Sequence, residues 1–511
     1  MTTVRALLLA VGAGVLLNLA FPGVGVWPLA IGAALMMWFA LSRARAWNGF
    51  LIGWAFGAAF FLPHLYWANA AVGPVPWLVL AIVQGATFGL FGAGWATVRR
   101  SKMLTDARAW VQPFAFAVLW TGLEELRSMV PFGGFPWGRV AFSQAESPLG
   151  HLAWVGGAPF VTFATVLAGA VLGLAIEAGR ARHWGYVAIG PVAVIAVILA
   201  GVFVPLDAQA TEGRLSVGVV QGNVPNTGLD AFNTARMVTS NHLTETRVLM
   251  ATSPAPLDIL IWPENAADYD PRVDPATQQM LTEAAQLAAA PLLVGTQDLS
   301  PVNGRYNISL LWNTNGTVLD SYIKQRPAPF AEYIPLRGIA RNFSDAVDRV
   351  TRDMIAGEGP AIIELPAPVL GRTVTTGPII CFEVAYDGIV RQAVRNGAEV
   401  LIVQTNNASF GKTAESEQQL AMTQLRAIEF GRSAIQASTV GVSAIIMPDG
   451  RISQQTELFV PANMAESIPL RSESTPAMYL GGAGRWASLI VAFLVVFFAA
   501  RKRVMDRYDW S

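Results

Sequence analysis

Of the chain's 511 residues, 53% are hydrophobic and only 14% are charged, against about 25% charged in an ordinary soluble domain, which points to a membrane protein. The formal net charge is zero, so no global basic field favours nucleic acid. A single cysteine excludes an intramolecular disulfide, and the four scattered histidines (His64, His151, His183, His242) offer no pair at metal-ligand spacing, so no metal or other cofactor is expected.

A membrane-crossing helix needs about 20 mostly apolar residues. Seven such segments fill the first two-fifths of the chain, at about 6–22, 25–41, 48–70, 75–98, 108–130, 150–178 and 184–205, and an eighth runs from about 478 to 500. The opening TTVRALLLAVGAG has the look of a signal peptide, but no small-x-small cleavage site precedes another apolar run, so a retained first span is expected. Lys and Arg set the orientation. They gather after span two (Arg43, Arg45), span four (Arg99, Arg100, Lys102, Arg108), span six (Arg180, Arg182) and span eight (Arg501, Lys502, Arg503, Arg507). The connections after spans one and three carry none, and the one after span five carries only Arg127 and Arg139. The even-numbered connections and both termini are therefore expected in the cytoplasm of a cell-membrane protein. Trp27, Trp67, Trp77, Trp137 and Trp486 read as an interfacial aromatic belt. Glu124 and Glu125, close to the outer end of span five, are costly there unless paired, and Arg127 is the nearest partner.

Between spans seven and eight the character changes. The expected organisation is a membrane domain over 1–211, an extracytoplasmic domain over 212–474, and the eighth span with a short cytoplasmic tail over 475–511. Residues 206–500 hold 20 Lys+Arg and 28 Asp+Glu, so bulk charge does not hold this region to anionic headgroups. RLSVGVVQGN (214–223), LDILIWPEN (257–265) and PLLVGTQDL (291–299) read as strands, and YNISLLWNTNGTVLDSYIK (306–324) as a hairpin around Asn315-Gly316. TGPIIC (376–381) is a strand that ends at the thiol. AYDGIVRQAVRNG (385–397) puts Ile389, Val390, Ala393 and Val394 on one helical face, AEVLIVQTNN (398–407) returns as a strand, a helix follows over 415–431, and 434–453 forms a hairpin around Pro448-Asp449-Gly450. Strand–helix–strand units mixed with hairpins predict an α/β domain.

Three reactive residue types fall at strand ends: Glu264, Lys324 and Cys381. Carboxyl ends of strands are where α/β proteins build sites. A thiol at a helix start beside a lysine is expected to have a lowered pKa. A carboxylate can take the thiol proton, and an ammonium can hold a developing oxyanion. Thiolate, base and oxyanion cradle together suit acyl transfer through a thioester; a small buried hydrophobe is the ordinary alternative for a lone cysteine.

At these residues the sequence resembles a known family. LIWPEN, YIKQRPAPFAEYIPL and GPIICFEVAYDG are similar to the Glu, Lys and Cys motifs of the nitrilase superfamily. LEELRSMVPFGGFPWGRVAFSQ (123–144), QGNVP (221–225) and RAIEFGR (426–432) resemble motifs of its membrane-embedded branch, the apolipoprotein N-acyltransferases. The likeness spans nearly the whole chain in the right order. It implies an αββα sandwich inserted before the last of eight spans. It also implies an enzyme that moves an acyl chain from a phospholipid to the α-amine of the diacylglyceryl cysteine of an apolipoprotein. Cys381 then matches the nucleophile, Glu264 the general base and Lys324 the oxyanion-stabilising residue, while Glu332, Glu383 and Glu429 match supporting acids. Phe382 stands where members often have Tyr, NTGLDAF lacks a tryptophan that some carry, and TNNASFG lacks one before Phe410. The GLDAFN wording resembles actinobacterial relatives, in which a polyprenol-phosphate mannosyl synthase is a fused or separate partner. A membrane-anchored C–N hydrolase acting on a small amide would use the same three residues but leaves seven spans unexplained. A transporter would place ionisable residues and paired broken helices at the midplane, where few charges occur.

Overall fold

The computed structural model describes residues 2–105, 108–182, 184–224, 236–252, 255–342 and 345–508; QGNVP beyond Val224 and the GLDAFN stretch lie outside them. The chain forms two compact units. One holds residues 1–66, 74–205 and 475–511, the other residues 67–73 and 206–474.

The first unit is helical. Its long helices are Thr3–Ala20, Pro28–Ala40, Ala46–His64, Pro74–Arg99, Val111–Arg127, Ala153–Arg180, Trp184–Val202 and Pro476–Tyr508. Five helical stretches are long and apolar enough to cross a membrane: Thr3–Ala20, Ala46–His64, Pro74–Arg99, Gly150–Arg180 and Pro476–Arg501. The other three fall at predicted spans two, five and seven. Pro28–Ala40 has 13 residues, which at 1.5 Å each rises about 20 Å against a hydrocarbon core of about 30 Å. Val111–Arg127 has 17 residues and carries charge at three of its last four, Glu124, Glu125 and Arg127. Predicted span three, over 48–70, breaks near Pro63, and a separate short helix follows at Tyr66–Val72.

Glycines let two of these helices touch backbone to backbone. A Cβ on Gly53 would sit 2.0 Å from the Phe88 carbonyl oxygen, and one on Gly57 2.6 Å from Gly85 Cα; this is the small-residue packing that replaces hydrophobic drive in lipid. The acids of span five do not pair locally as the sequence suggests. Glu125 is bonded by Arg139 and, at 2.9 Å, by Arg485. Glu124 accepts from Trp120, the Val140 amide and Thr162. Arg127 donates instead to the carbonyls of Phe135 and Trp137. Trp137, expected in the aromatic belt, is buried.

The second unit is a four-layer sandwich. Its strands are β1 Arg214–Gln221, β2 Ile259–Ile261, β3 Leu292–Asp298, β4 Tyr306–Trp312, β5 Val318–Ile323, β6 Ile363–Ala367, β7 Arg372–Ile380, β8 Val400–Thr405, β9 Ser433–Ser438, β10 Ala444–Ile446, β11 Ile452–Gln455 and β12 Ala462–Pro469. They make two six-stranded sheets, ordered β12-β1-β2-β3-β4-β5 and β11-β10-β9-β8-β7-β6. Side chains alternate as strand pleating requires. Leu215, Val217, Val219, Ile259, Ile261 and Leu293 face inward against Ile363, Val374, Ile380, Val400, Ile402 and Ile435 of the opposite sheet. Leu260, Leu292 and Val294 face outward, where the helix Pro275–Ala288 covers them with Leu281, Ala284 and Ala285. The helices Asp387–Arg395 and Glu415–Phe430 pack on the outside of the second sheet. β7, β8 and β9 run parallel, and β8 (VLIVQT) is buried throughout, as a strand covered on both faces must be.

Nine of the predicted elements appear within a few residues of their expected bounds. The hairpin predicted over 434–453 is really three strands, because β9 pairs in parallel with β8 before the Pro448 turn joins β10 to β11. The helices Met237–Thr252 and Pro275–Ala288 and the strands β6 and β12 are additions that the sequence reading does not contain.

Candidate active site

Three strand ends converge. Glu264 follows β2, after Pro263. A glycine opposite makes its position attainable: a Cβ on Gly295 of β3 would lie 2.5 Å from Glu264 Cα and 2.7 Å from the Asn265 amide nitrogen. Gly295→Ala is therefore expected to push the Glu264 loop off its strand. The measurable result is a loss of activity larger than the loss of thermal stability.

The Glu264 carboxylate is buried. Oε1 accepts from Asn307 Nδ2 at 2.6 Å and from Lys324 Nζ at 3.4 Å, and Oε2 accepts from the Asn406 amide at 2.9 Å. Lys324, one residue past β5, is 1% exposed. Its Nζ donates at 2.6 Å to Glu332 Oε1, whose other oxygen accepts from the Ala328 amide at 2.6 Å. An ammonium has three protons. Glu264 and Glu332 take two, leaving one for an incoming oxygen.

Cys381 directly follows β7 and has φ 54°, a left-handed conformation that costs a non-glycine residue of order 1–3 kcal/mol and persists only where the surroundings impose it. The thiol is half-buried. Glu264 and Lys324 both act on it electrostatically, and the Thr405 hydroxyl shares a hydrogen bond with it. The sequence reading expects a lowered thiol pKa, and the surroundings do the reverse. Burial, then the Glu264 charge, pushes the thiol up, and Lys324 only partly opposes them. The segment after Cys381 is also a 3₁₀ turn, Cys381–Ala385, with the α-helix beginning at Asp387, so no long helix dipole points at the sulfur. The resting Cys381 is therefore a neutral thiol, which would need a base to react. Glu264 has the chemistry of one. Burial raises its carboxyl, Lys324 lowers it and Glu332 raises it further, and a raised carboxylate is a stronger proton acceptor. For Lys324, burial pulls downward, but Glu332 and Glu264 outweigh it and keep the ammonium charged.

The other two acids named from sequence lie behind this group. Glu383 accepts from Tyr322 Oη at 3.0 Å, from the Gln325 and Arg326 amides at 2.7 and 3.0 Å, and from the Ile380 amide at 2.8 Å. It thus ties the Cys381 turn to the strand end that carries Lys324. Glu429 is bonded by Arg426, and Arg391 lies 3.4 Å away. Arg426 is fully buried. It also pairs with Asp387 at 2.5 Å and donates to the carbonyls of Val384 and Ala385 at 3.0 Å each. Phe382 is buried with its ring edge-on to Tyr386, centroids 5.4 Å apart. Arg426→Met should lower stability by about 3–5 kcal/mol, because it removes the cation from between two buried carboxylates. Thermal unfolding in detergent checks this, and an unchanged Tm would show that Arg426 does not hold the turn.

Sequence reasoning missed Asn307, Arg426 and Glu415. Arg426 stands three residues before Glu429 in one helix, a spacing that brings side chains together, and was within reach. Asn307 is a polar residue in an apolar strand whose partner only the sheet register reveals. Glu415, buried and hydrogen-bonded by Asn407 at 2.7 Å, acts on both Cys381 and Glu264. Among the described residues no group of three or more His, Cys, Asp or Glu has the arrangement to hold a metal ion.

Two family models match the chain: the apolipoprotein N-acyltransferase N-terminal domain over residues 13–171 and carbon-nitrogen hydrolase over residues 217–460. The apolipoprotein N-acyltransferase of Mycolicibacterium smegmatis is 36% identical over 95% of this chain and 83% of that protein. The chain belongs to the apolipoprotein N-acyltransferase family. The Geobacter metallireducens member is 27% identical over 98% of this chain and 96% of its own length. Among solved structures, an amidase of the nitrilase superfamily from Nesterenkonia AN1 matches 53% of this chain and 95% of its own, with 17% identity and a TM-score of 0.38. Members of this family are acyltransferases, and the long apolar helices of the first unit mark this chain as a membrane protein.

Proposed function

We propose that this protein transfers an acyl chain from a phospholipid to the α-amine of the diacylglyceryl cysteine at the N-terminus of an apolipoprotein, through a thioester on Cys381. The observation that carries the catalytic roles is the buried Glu264–Lys324–Glu332 chain of contacts with both Glu264 and Lys324 acting on the Cys381 thiol. Glu264 takes the thiol proton as sulfur adds to the ester carbonyl. The third Lys324 proton stabilises the oxyanion. Glu264 then returns the proton to the departing alkoxide, and lysophospholipid leaves. An amine completes the cycle by attacking the thioester. Glu332 holds Lys324, while Glu383 and Glu429 position the turn. Two half-reactions with a covalent intermediate predict ping-pong kinetics.

The protein incubated with labelled phospholipid alone should acquire an acyl group that hydroxylamine removes, release lysophospholipid, and then pass the acyl group to a diacylglyceryl-cysteine peptide. Release of lysophospholipid only when both substrates are present would sink the covalent scheme. A C–N hydrolase would instead turn over a small amide and ignore phospholipid.

The distribution of Lys and Arg supports a cell-membrane topology with both termini cytoplasmic and residues 212–474 extracytoplasmic. A reporter active only outside the cytoplasm should work when fused at Asn315-Gly316 and fail after Arg503. Two fusions reading the same side would overturn the span count. A separate polyprenol-phosphate mannosyl synthase as partner rests only on the GLDAFN wording.

A further inference from the structure

A further carboxyl has no work assigned to it: Glu415 is held by Asn407, the residue after the Asn406 amide that binds Glu264, and its charge acts on the Cys381 thiol. Glu415 opens the helix Glu415–Phe430 and is 2% exposed. Its Oε2 accepts from Asn407 Nδ2 at 2.7 Å. Asn407 is itself fixed, donating to Gln419 Oε1 at 2.9 Å and accepting from Ser438 Oγ at 2.5 Å. Among the described residues no lysine or arginine pairs with Glu415, and no hydrogen bond holds its Oε1. A buried carboxyl with one hydrogen bond and no cation is costly. It is also an arrangement waiting for a cationic ligand.

The proposed acceptor is one. Near neutral pH an α-amine is mostly ammonium, with a pKa of about 7.7–8.0, and an ammonium has no lone pair with which to attack. Glu264 takes one proton from the adding nitrogen and hands it to the departing sulfur. The ammonium has one more proton to lose before it can add at all. Water, the acceptor in a hydrolase, does not.

We infer that Glu415 receives the acceptor's ammonium beside the acyl-thioester and takes its first proton, making the amine a nucleophile. This rests on the acyl-transfer reading above. Ionised Glu415 faces the ammonium, and one N–H proton moves to its carboxylate. The nitrogen lone pair forms a bond to the thioester carbonyl carbon, and a second N–H proton passes to Glu264. The C–S bond then breaks, and Glu264 protonates Sγ. The products are an amide, the free thiol and a neutral Glu415, which returns its proton to solvent.

The electrostatics agree with the geometry. Burial, with the Glu264 charge adding to it, pushes the Glu415 carboxyl up to about 8, close to an α-ammonium, so the proton moves between near-equals. The titratable groups facing Glu415 are Glu264 from the loop after β2 and Cys381 from the turn after β7; Lys324 acts on both of these. In the unliganded site below that pH Glu415 is neutral, which glutamine imitates; the positive charge of an arriving ammonium favours the carboxylate, and the displaced proton leaves to solvent before the transfer begins.

The test separates the half-reactions in the full-length protein in detergent. Glu415→Gln should acquire the hydroxylamine-labile acyl group from phospholipid much as the unaltered protein does, which also shows that it folds. Single-turnover transfer to a diacylglyceryl-cysteine peptide should be slowed about 10-fold at pH 7, where roughly a tenth of an α-amine is free base, and should recover as the pH is raised to 9. A transfer rate equal to the unaltered protein's at pH 7, a deficit that persists unchanged at pH 9, or equal losses in both halves would overturn the inference alone. If the unaltered protein forms no acyl-enzyme, the acyl-transfer reading falls and takes this inference with it.

Discussion

Cys381→Ala should abolish the hydroxylamine-labile acyl group and reduce overall transfer by about 10⁶-fold, the scale on which losing an obligatory covalent nucleophile acts. No other residue can take its place. The chain has a single cysteine, and the Thr405 hydroxyl, which hydrogen-bonds with the thiol, is engaged by the neutral Gln419 Oε1 at 2.9 Å rather than by a carboxylate. The variant should still fold, since a half-buried thiol contributes little packing and the substitution falls in the ordinary range of about 0.5–3 kcal/mol. Acyl label on well-folded Cys381→Ala, by mass spectrometry or by autoradiography, would end the thioester mechanism.

Lys324→Met should lower the rate of acyl-enzyme formation by a factor of about 100 to 1,000, the usual cost of one lost oxyanion donor. A second effect distinguishes it from simple damage. Lys324 pulls the Glu264 carboxyl down against burial and Glu332. Without the ammonium that carboxyl moves further up. Glu264 acts as a base only when ionised, so activity rises with pH as it loses its proton. That rising limb should therefore shift to higher pH in Lys324→Met. A pH–rate profile from single-turnover acylation reads this directly. Near-normal acylation by Lys324→Met, or a limb displaced to lower pH, would remove the lysine from the proposed role. The same change leaves two carboxylates buried without their cation, so a lower Tm is expected beside the kinetic effect.

How much of this was legible in the sequence depends on how local each feature is. β1, β3, the β4–β5 hairpin and β8 stood out because alternation, Asn-Gly turns and apolar runs are written within a few residues. Glu264, Lys324 and Cys381 are candidates legible in the sequence because each lies just past a strand inside a recognisable motif, and the fold brings the three together. β12 was missed because ANMAESIP (462–469) carries little alternation; what makes it a strand is its pairing with β1. Met237–Thr252, rich in threonine, likewise shows a weak apolar stripe, and it is tertiary packing of Leu243 and Leu249 that holds it. The thiol's electrostatics differ from the sequence expectation for a related reason. A lysine nearby is visible in a motif, whereas the depth of burial that outweighs it depends on both sheets together. Glu415 is the extreme case, a lone acid in AESEQQ whose meaning comes only from the side chains folded around it.

The pairing of β1 with β12 has a consequence for how the protein is made. Arg214 is matched with Pro469 and Gln221 with Ala462, so the first strand of the sandwich to leave the ribosome gains its outer neighbour only when the last has been synthesised. Until then β1 presents an unpaired edge of backbone N–H and C=O groups, the kind of surface that recruits other chains. Pairing across so long a stretch of sequence is also slow, since loop-closure entropy must be overcome first. A nascent chain arrested before β12 has emerged should therefore be captured by chaperones or aggregate, while one arrested far enough downstream to free Ala462–Pro469 should resist protease. The sandwich becomes a finished object only a few residues before the final apolar helix, at Pro476, begins to be translated.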